Sequence, residues 1–295
     1  MTTFAIAGIQ MDAPFGDNLG LMGREIGIAV ARFPWVEMIM FGELCAFGPD
    51  LQAAQPMPGP AEEYFCSLAR KHGIWLIPGS FYEVHEGQIH NTSPVINPAG
   101  EVVTRHRKIY PFQPYEQGVT GGLEHTVFDV PEVGRFGLSI CYDSWFPETS
   151  RALASLGAEV ILHPTLTNTI DRDFELSVSR TTAGINQLYF VDINNTGRLG
   201  YGRSAIFSPE GDVLHQAGRG AEIIPVFLDF DLVRRTREEG IKGLGQPLKS
   251  FRDSKIAFPQ YDPKGRAYFQ TKLGPLKKLE RPERVSAPPV SIKSV

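Results

Sequence analysis

The chain has 295 residues, of which 42% are hydrophobic and 21% are charged, and its formal net charge is -4 at pH 7. A globular protein of this size buries a sizeable core, and its mild acidity offers no basic field to attract nucleic acid or an anionic membrane. No uncharged apolar run reaches the roughly 18 residues that would span a bilayer. The charge and the lack of such a run together make neither nucleic acid nor a membrane an expected partner.

The cysteine pattern points to a reducing compartment. Cys45, Cys66 and Cys141 are odd in number and far apart, and no CxxC pair occurs. Such spacing does not form a disulfide framework, so a cytoplasmic protein is predicted. Residues 1–17 lack a basic start and a cleavage site, and they are predicted to contain a first strand rather than a signal peptide.

The first part of the chain alternates apolar strand patterns with one-sided helical patterns. Strands are predicted at residues 4–10, 35–41, 73–83, 89–97 and 101–107, and helices at 18–33 and 61–71. Residues 108–122 follow as a loop rich in proline, glycine and aromatic side chains. This loop is too long for a simple connection, which points to a functional segment.

The second part continues the alternation. Strands are predicted at residues 126–130, 136–140, 159–163, 188–194, 204–208, 212–216 and 222–229, and helices at 147–156, 174–186 and 232–239. Several neighbouring strands have no helix between them, so they should form antiparallel hairpins. We therefore predict an α+β fold with a mixed sheet, or two sheets, covered by helices on the outer faces.

The end of the chain differs in composition from the rest. From Gly243 onward it is rich in proline, glycine and lysine, with isolated aromatic residues and no core-forming periodicity. We predict a domain at residues 1–242 and an extended tail at 243–295. The tail either packs on the domain or a partner subunit, or is partly disordered.

The stretch from Arg135 to Glu148 reads RFGLSICYDSWFPE and is the centre of the functional interpretation. Its apolar run stops at Cys141, and a helical pattern begins at Pro147. This places a thiol at the turn between a buried strand and a helix, where free backbone N–H groups lower a thiol's pKa and can bind an oxyanion. A buried structural cysteine is the alternative, because free cysteine is among the most buried residue types.

Two other residues that can carry chemistry also follow predicted strands. Glu43 comes just after the strand at 35–41, and Lys108 just after the strand at 101–107. Cysteine attack on a carbonyl or nitrile carbon needs a base, a nucleophile and an oxyanion stabiliser. Glu43 can take the thiol proton, Cys141 can attack, and Lys108 can hold the developing negative charge. The alternative for Glu43 is a solvated loop acid.

At these residues the sequence resembles the carbon-nitrogen hydrolase, or nitrilase, superfamily. The resemblance covers roughly residues 4–231. It rests on three strand ends, which read Phe41-Gly42-Glu43-Leu44, Arg107-Lys108-Ile109, and Gly137 to Asp143 followed by Phe146-Pro147-Glu148. It implies a triad of Glu43, Lys108 and Cys141, a four-layer αββα sandwich, no metal or organic cofactor, and a homodimer or higher homo-oligomer.

The resemblance also assigns a second glutamate, in the loop after the lysine, to positioning of the substrate. Glu116 occupies that place, and an exposed loop acid is the alternative. One departure concerns Gly42, because the family usually has proline before the first catalytic glutamate. Glycine is expected to loosen the backbone beside Glu43.

Aromatic residues near these motifs point to a small substrate pocket. The candidates for substrate contact are Tyr115, Tyr142, Trp145 and Phe112, together with Asn194 and Asn195. Ordinary core or loop packing is the alternative for the aromatic residues, and a turn before Gly197 is the alternative for the asparagines.

The expected reaction is hydrolysis of the non-peptide C–N bond of a small aliphatic amide or an N-carbamoyl amine. A nitrilase is the alternative within the family, but Tyr142-Asp143 after the cysteine resembles the amidase and carbamoylase branches. A non-catalytic binding protein on the same fold would be marked by loss of a triad residue, and the sequence retains all of them. The expected partner is a small-molecule amide, carbamoyl or nitrile substrate.

Overall fold

The structure is a computed structural model that describes residues 2–262 and 271–278. It divides into two compact units. One comprises Met1–Pro111 with Gly118–Lys255, and the other comprises Phe112–Gln117 with Ile256–Val295. None of the helices in the described ranges is both long and apolar enough to cross a membrane.

The helices and strands follow the predicted pattern closely. The strands are β1 (Thr3–Gln10), β2 (Met38–Phe41), β3 (Trp75–Ile77), β4 (Phe81–His85), β5 (Gln88–Ile96), β6 (Val102–Arg107), β7 (Val127–Val130), β8 (Gly134–Leu138), β9 (Val160–Thr165), β10 (Tyr189–Asn194), β11 (Ala205–Phe207), β12 (Val213–Gln216) and β13 (Glu222–Asp229). The helices are α1 (Leu19–Arg32), α2 (Pro60–His72), α3 (Pro147–Ser155), α4 (Arg172–Asn186), α5 (Phe230–Glu239) and α6 (Pro247–Asp253).

The strands form two mixed sheets. The seven-stranded sheet has the order β13-β1-β2-β3-β5-β4, with β6 paired to β5. Within it β1, β2 and β3 are parallel, whereas β4, β5 and β6 form the antiparallel pairs expected of strands with no helix between them. The six-stranded sheet has the order β12-β11-β10-β9-β8-β7, and its strands β8, β9 and β10 are parallel.

The sheets pack face to face between two layers of helices. Apolar side chains from both sheets form the central core, among them Phe4, Met40, Leu162 and Val191. A second apolar cluster joins α1 and α2 to the seven-stranded sheet, and a third joins α3 and α4 to the six-stranded sheet. The resulting order of helix, sheet, sheet and helix confirms the predicted α+β sandwich of four layers.

Helix α2 shows how the local sequence sets the bounds of an element. Pro60 occupies its first turn, where a missing N–H costs nothing, and Gly73 ends it with a φ of 64°. Between these residues Phe65, Leu68 and Ala69 recur at helical spacing and are buried. The helix therefore presents one apolar face to the sheet.

The predicted strand at 73–83 is two strands in the structure. Residues 78–80 separate β3 from β4, and Gly79 has a φ of 75°. A Cβ on Gly79 would lie 1.8 Å from the carbonyl oxygen of Gly42, so only glycine fits this crossing. The strand is interrupted because the chain must pass directly over the end of β2.

The predicted tail also differs from expectation near its start. Residues Pro247–Asp253 form α6 instead of an extended segment, and none of them is buried. A helix without a buried face explains why the sequence shows no core-forming pattern there. Residues 263–270 and 279–295, which include Tyr268 and Phe269, lie outside the described residues, and the packing of the tail stays a prediction.

Candidate active site

Glu43 lies in the turn that follows β2, with its side chain buried. Its backbone N–H donates to the carbonyl oxygen of Thr165 at 3.1 Å, and its own carbonyl oxygen accepts from Nδ2 of Asn195 at 2.7 Å. Thr165 ends β9 and Asn195 follows β10, so both partners belong to the six-stranded sheet. Glu43 is therefore a buried carboxylate and not the solvated loop acid considered as its alternative.

Lys108 follows β6, and its buried side chain reaches Glu43. The Nζ atom lies 2.7 Å from Oε1 of Glu43, and Nδ2 of Asn91 donates to the same oxygen at 2.8 Å. The backbone N–H of Lys108 donates to the carbonyl oxygen of Asn91 at 2.8 Å, which fixes the end of β6 against β5. A buried carboxylate is tolerated here because an ammonium and an amide both donate to it.

Cys141 begins a 3₁₀ turn, Cys141–Trp145, that precedes α3. Its φ is 45°, a left-handed conformation that is uncommon for a residue with a side chain. Burial raises the pKa of the Cys141 thiol well above its ordinary value, and the Glu43 carboxylate raises it further. The Lys108 ammonium and a hydrogen bond with the Thr165 side chain act in the opposite direction on that pKa.

This environment corrects one expectation drawn from the sequence. The start of a helical segment was expected to lower the pKa of the thiol, whereas burial and the Glu43 carboxylate raise it. The thiol of Cys141 is therefore held in the neutral form, and a proton acceptor is needed before it can attack. Glu43 and Lys108 form a buried ion pair, and both charges act on the pKa of the Cys141 thiol. The three side chains therefore lie in one buried cluster.

Asp143 links the turn of Cys141 to the strand end of Lys108. Its Oδ1 accepts from the backbone N–H of Tyr110 at 2.8 Å, and its Oδ2 accepts from the backbone N–H of Ile140 at 3.0 Å. Nε2 of His106 lies 3.3 Å from Oδ2. The carboxylate thus contacts residues on both sides of Lys108 and the residue before Cys141.

A third buried carboxylate of the site lies on α4. Glu175 accepts from Nε1 of Trp145 at 3.4 Å and pairs with Nη1 of Arg172 at 3.4 Å. Burial raises the pKa of the Glu175 carboxyl, against the lowering effect of Arg172 and of hydrogen bonds from Thr167 and Trp145. Its charge also raises the pKa of the Cys141 thiol, which places it near the cluster.

Aromatic rings gather on the turn after Cys141. Tyr142 lies 5.7 Å from Trp145 between ring centroids and packs edge to face with Phe146 at 5.3 Å. Tyr110 stacks on Phe146 at 3.6 Å, and Phe174 lies 5.0 Å from Trp145. Tyr142 and Trp145 thus belong to one aromatic group with three further rings, and their contact with a substrate stays a prediction.

Asn194 has a different environment from the one expected of a substrate contact. Its Nδ2 donates to the carbonyl oxygens of Thr167 and Gly202 at 2.9 and 3.0 Å, and its Oδ1 accepts from the backbone N–H of Thr167 at 2.9 Å. The side chain is fully buried. Its amide holds two loops together, so substrate contact through this group would require those bonds to break.

Glu116 and Tyr115 belong to the unit that contains Phe112–Gln117 and are described within it. The carboxylate of Glu116 accepts from the backbone N–H of Phe112 at 2.8 Å, and the rings of Phe112 and Tyr115 stack at 5.0 Å. Nζ of Lys278 lies 5.6 Å from the ring centroid of Tyr115. Their roles in the site stay predictions.

Histidine plays a supporting part in the geometry. Nδ1 of His163 lies 3.0 Å from the carbonyl oxygen of Ser139, and burial lowers the pKa of this imidazole. His163 therefore braces the strand that leads to Cys141. Within residues 2–262 and 271–278, no group of His, Cys, Asp and Glu side chains has the arrangement of a metal site.

Several polar residues of the site were not identified from the sequence. They are Asn91, His106, Asp143 in its bridging role, Thr165, Thr167 and Glu175. Asn91, His106 and Glu175 stand in strands and a helix that were predicted, whereas Thr165 and Thr167 lie beyond residue 163, where the strand was predicted to end. Each of the six has neighbours from distant parts of the chain. The only available signal was a polar residue at a position where the strand or helix pattern calls for burial.

The chain is similar in sequence to known carbon-nitrogen hydrolases. The sequence model described as carbon-nitrogen hydrolase matches residues 5–238. Omega-amidase NIT2-B of Xenopus laevis is 30% identical over 202 residues, which are 63% of this chain and 72% of that protein. An (R)-stereoselective amidase of Pseudomonas sp. is 34% identical over 245 residues, which are 78% of this chain and 87% of that protein.

Solved structures resemble the chain over a similar extent. Nit3 of Saccharomyces cerevisiae, a member of branch 10 of the nitrilase superfamily, matches with a TM-score of 0.74 at 26% identity, covering 80% of this chain and 94% of that one. A mutant amidase of Nesterenkonia sp. AN1 in complex with butyramide matches with a TM-score of 0.70 at 25% identity, covering 80% and 95%. The chain therefore belongs to the carbon-nitrogen hydrolase family of the nitrilase superfamily, whose members hydrolyse non-peptide C–N bonds.

Proposed function

We propose that the protein is an amidase that hydrolyses a small aliphatic amide through a thioester on Cys141. The observation that carries this proposal is the buried contact of 2.7 Å between Nζ of Lys108 and Oε1 of Glu43, beside the neutral thiol of Cys141. A base, a nucleophile and a cation then occupy one cluster, as thiol attack on a carbonyl requires.

In the proposed acylation step, Glu43 takes the proton of the Cys141 thiol as sulfur attacks the amide carbonyl carbon. Negative charge develops on the carbonyl oxygen, where the Lys108 ammonium and the backbone N–H of Tyr142 stabilise it. Loss of one such donor typically costs about 100- to 1,000-fold in rate. The raised pKa of the thiol is compatible with this step, because the proton leaves only when an acceptor is in place.

Collapse of the tetrahedral intermediate breaks the C–N bond. The proton held by Glu43 passes to the leaving nitrogen, ammonia departs, and the acyl group remains on Cys141 as a thioester. Water then attacks the thioester carbonyl with Glu43 as its base, which releases the carboxylic acid and restores the thiol. One amide and one water give one acid and one ammonia.

Other residues have proposed roles around this core. Glu116 orients the amide, as the family resemblance implies, and can share the protonation of the leaving nitrogen. Tyr115, Tyr142 and Trp145 contact the acyl part of the substrate. For Trp145 the hydrogen bond from its indole Nε1 to Glu175 supports a fixed ring orientation.

The relatives support the proposed substrate class. The similar proteins include omega-amidases and an (R)-stereoselective amidase, and butyramide is bound in the similar Nesterenkonia structure. These names favour a primary amide with a short acyl chain. N-carbamoyl amines and nitriles share the electrophilic carbon, so they are the competing substrate classes.

The test is ammonia release from matched panels of primary amides, N-carbamoyl amines and nitriles of equal chain length. We expect turnover with the amides and at least about tenfold lower kcat/KM for the other two classes. Cys141→Ala serves as the inactive control. Preferred turnover of nitriles or N-carbamoyl amines would overturn the substrate class, and full activity of folded Cys141→Ala would overturn the mechanism.

We further propose that the protein acts in the cytoplasm as a homodimer or larger homo-oligomer, with a tail at residues 243–295 whose first part, up to Lys255, belongs to the same compact unit as the two sheets. The support is the family resemblance and the change in composition at Gly243. Light scattering of the full-length chain tests the assembly. A monomer at micromolar concentration would contradict it.

A further inference from the structure

Glu43 and Cys141 stand on different sheets, and their alignment depends on how the sheets are joined at the site. Glu43 follows β2 of the seven-stranded sheet, whereas Cys141 follows β8 of the six-stranded sheet. A small slip between the sheets would move the base away from the thiol. Misplacement of about 1 Å can cost about 100-fold in rate, so this junction matters for catalysis.

The backbone N–H and the backbone carbonyl oxygen of Glu43 each form a hydrogen bond with the opposite sheet. The N–H donates to the carbonyl oxygen of Thr165 at 3.1 Å, and the carbonyl oxygen accepts from Nδ2 of Asn195 at 2.7 Å. The first bond is made by backbone alone. The second depends on the side chain of Asn195, which is fully buried.

Asn195 also packs directly on Gly42. A Cβ built on Gly42 would lie 2.5 Å from Oδ1 and 2.9 Å from Cγ of Asn195, closer than such atoms approach one another. Oδ1 of Asn195 is buried and accepts no hydrogen bond from the described residues. Leaving an amide oxygen unsatisfied is costly, so the bond to Glu43 and the fit over Gly42 must hold this side chain in place.

We infer that Asn195 is a positioning residue for Glu43, and that Gly42 is required because the Asn195 amide occupies the space of a side chain. Here glycine leaves the backbone free, and the amide of Asn195 fixes it from the opposite sheet. The inference rests on the proposed role of Glu43 as the base.

The first test is Asn195→Ala, measured by ammonia release from the best amide substrate. We expect kcat to fall by about tenfold to 100-fold with little change in KM, because the substrate still binds while the base is displaced. Asn195→Asp keeps the shape but puts an oxygen in place of Nδ2. It should lose as much kcat as the alanine variant.

Asn186→Ala is the matched control. Asn186 is also a buried asparagine whose Nδ2 donates to a single backbone carbonyl, that of Thr182 at 3.0 Å, and whose Oδ1 accepts no bond from the described part of the chain. It lies on α4 and does not bond to Glu43. Its substitution should lower the melting temperature as Asn195→Ala does, while kcat stays near that of the parent.

The second test is a double-mutant cycle with Gly42→Ala. The added methyl should displace the Asn195 amide, so Gly42→Ala should also lower kcat. In the double variant Gly42→Ala, Asn195→Ala, the hydrogen bond to the Glu43 carbonyl oxygen is already absent. The fold-loss of kcat should therefore equal the larger of the two single-variant losses and not their product. Gly27→Ala is the control, since nothing lies within 4 Å of a Cβ there.

The outcomes separate the inference from the proposed function. Full activity of Glu43→Gln would rule out Glu43 as the base and would overturn the proposed function. An inactive Glu43→Gln together with a fully active Asn195→Ala would overturn only the positioning role. Multiplicative losses in the cycle would also overturn it, and if Gly42→Ala does not fold, the comparison of Asn195→Ala with Asn186→Ala decides.

Discussion

Cys45 and Cys141 occupy similar positions after a strand, but the side chains around their thiols differ. Each lies just past the end of a buried strand, and each turn contains a residue with positive φ, Leu44 at 51° and Cys141 itself at 45°. Cys45 is 0% exposed and lies in an apolar cluster, where burial alone raises the pKa of its thiol. Cys141 is 9% exposed, and Glu43, Lys108 and Thr165 also act on its pKa.

The difference shows that a strand-end position does not by itself give a thiol the neighbouring groups that nucleophilic attack requires. Burial raises the pKa of both thiols, so neither is a thiolate at neutral pH. What distinguishes Cys141 is a carboxylate that can accept its proton and an ammonium that can stabilise negative charge beside it. Cys45 has hydrocarbon in those places, which corresponds to the structural cysteine considered as the alternative for Cys141.

Removing the two sulfur atoms in turn gives the largest expected contrast. Cys141→Ala should lower kcat by about a million-fold, the loss seen when a nucleophile that acts with its base is deleted. The folded structure should persist, because the neutral thiol makes no ion pair. Ammonia release and the melting temperature measure the two effects.

Cys45→Ala is the matched control for that experiment. It removes a sulfur of the same size from another buried site, so it should lower the melting temperature while turnover persists. Loss of turnover in a folded Cys45→Ala protein, or its retention in Cys141→Ala, would reverse the assignment of the nucleophile.

Asp143→Asn tests whether the turn of Cys141 needs its link to the strand end of Lys108. One carboxylate oxygen becomes an NH₂ group that faces the backbone N–H of Tyr110 or Ile140. The repulsion between two donors should shift the turn, and kcat should fall by about 100-fold. The measurement is kcat and KM for the best amide, with the melting temperature as a check of folding.

Glu62→Gln is the control for Asp143→Asn. Glu62 is a buried carboxylate that accepts two bonds of 2.7 Å from Arg105, on the same strand as His106. Its substitution disturbs a buried charge without touching either strand end of the site. Equal losses of kcat in the two variants would mean that Asp143 matters only for stability.

Alkylation by iodoacetamide should distinguish the thiols without mutation. The reagent is itself a small primary amide, so it fits the proposed acyl pocket, and Cys141 should be labelled at least about tenfold faster than the inaccessible Cys45. Mass spectrometry of the native protein measures both rates. A competing amide should slow labelling of Cys141 alone, and labelling that ignores the competitor would place Cys141 outside the substrate site.

The smallest expected effect is a shift in the titration of the Cys141 thiol. The Glu43 carboxylate raises the pKa of this thiol because it repels the negative charge of the thiolate. Glu43→Gln removes this negative charge and leaves the Lys108 ammonium, which lowers the pKa of the thiol. The thiolate should therefore form at lower pH in Glu43→Gln than in the parent, although turnover is lost. Ultraviolet absorbance of the thiolate, with Cys141→Ala subtracted, measures the midpoint, and an upward shift would contradict the electrostatic account.

The sequence determined which residues stand at the strand ends and how the layers are built. Apolar runs and helical spacing are local patterns, so they located β2, β6 and β8, and with them Glu43, Lys108 and Cys141. The resemblance to the family turned that order into a predicted four-layer sandwich, which the structure confirms. Local periodicity did not show the break at Gly79, because that glycine is required by the carbonyl of Gly42, a contact between distant residues.

Tertiary structure alone decided which polar side chains complete the site. Asn91, Asp143 and Asn195 acquire their roles from partners far away in the chain, such as Glu43 and Tyr110. The same holds for Asn194, whose amide joins two loops where the sequence suggested substrate contact. Side-chain direction and cross-sheet contact depend on how the layers pack, and no local pattern encodes the neighbours that packing brings together.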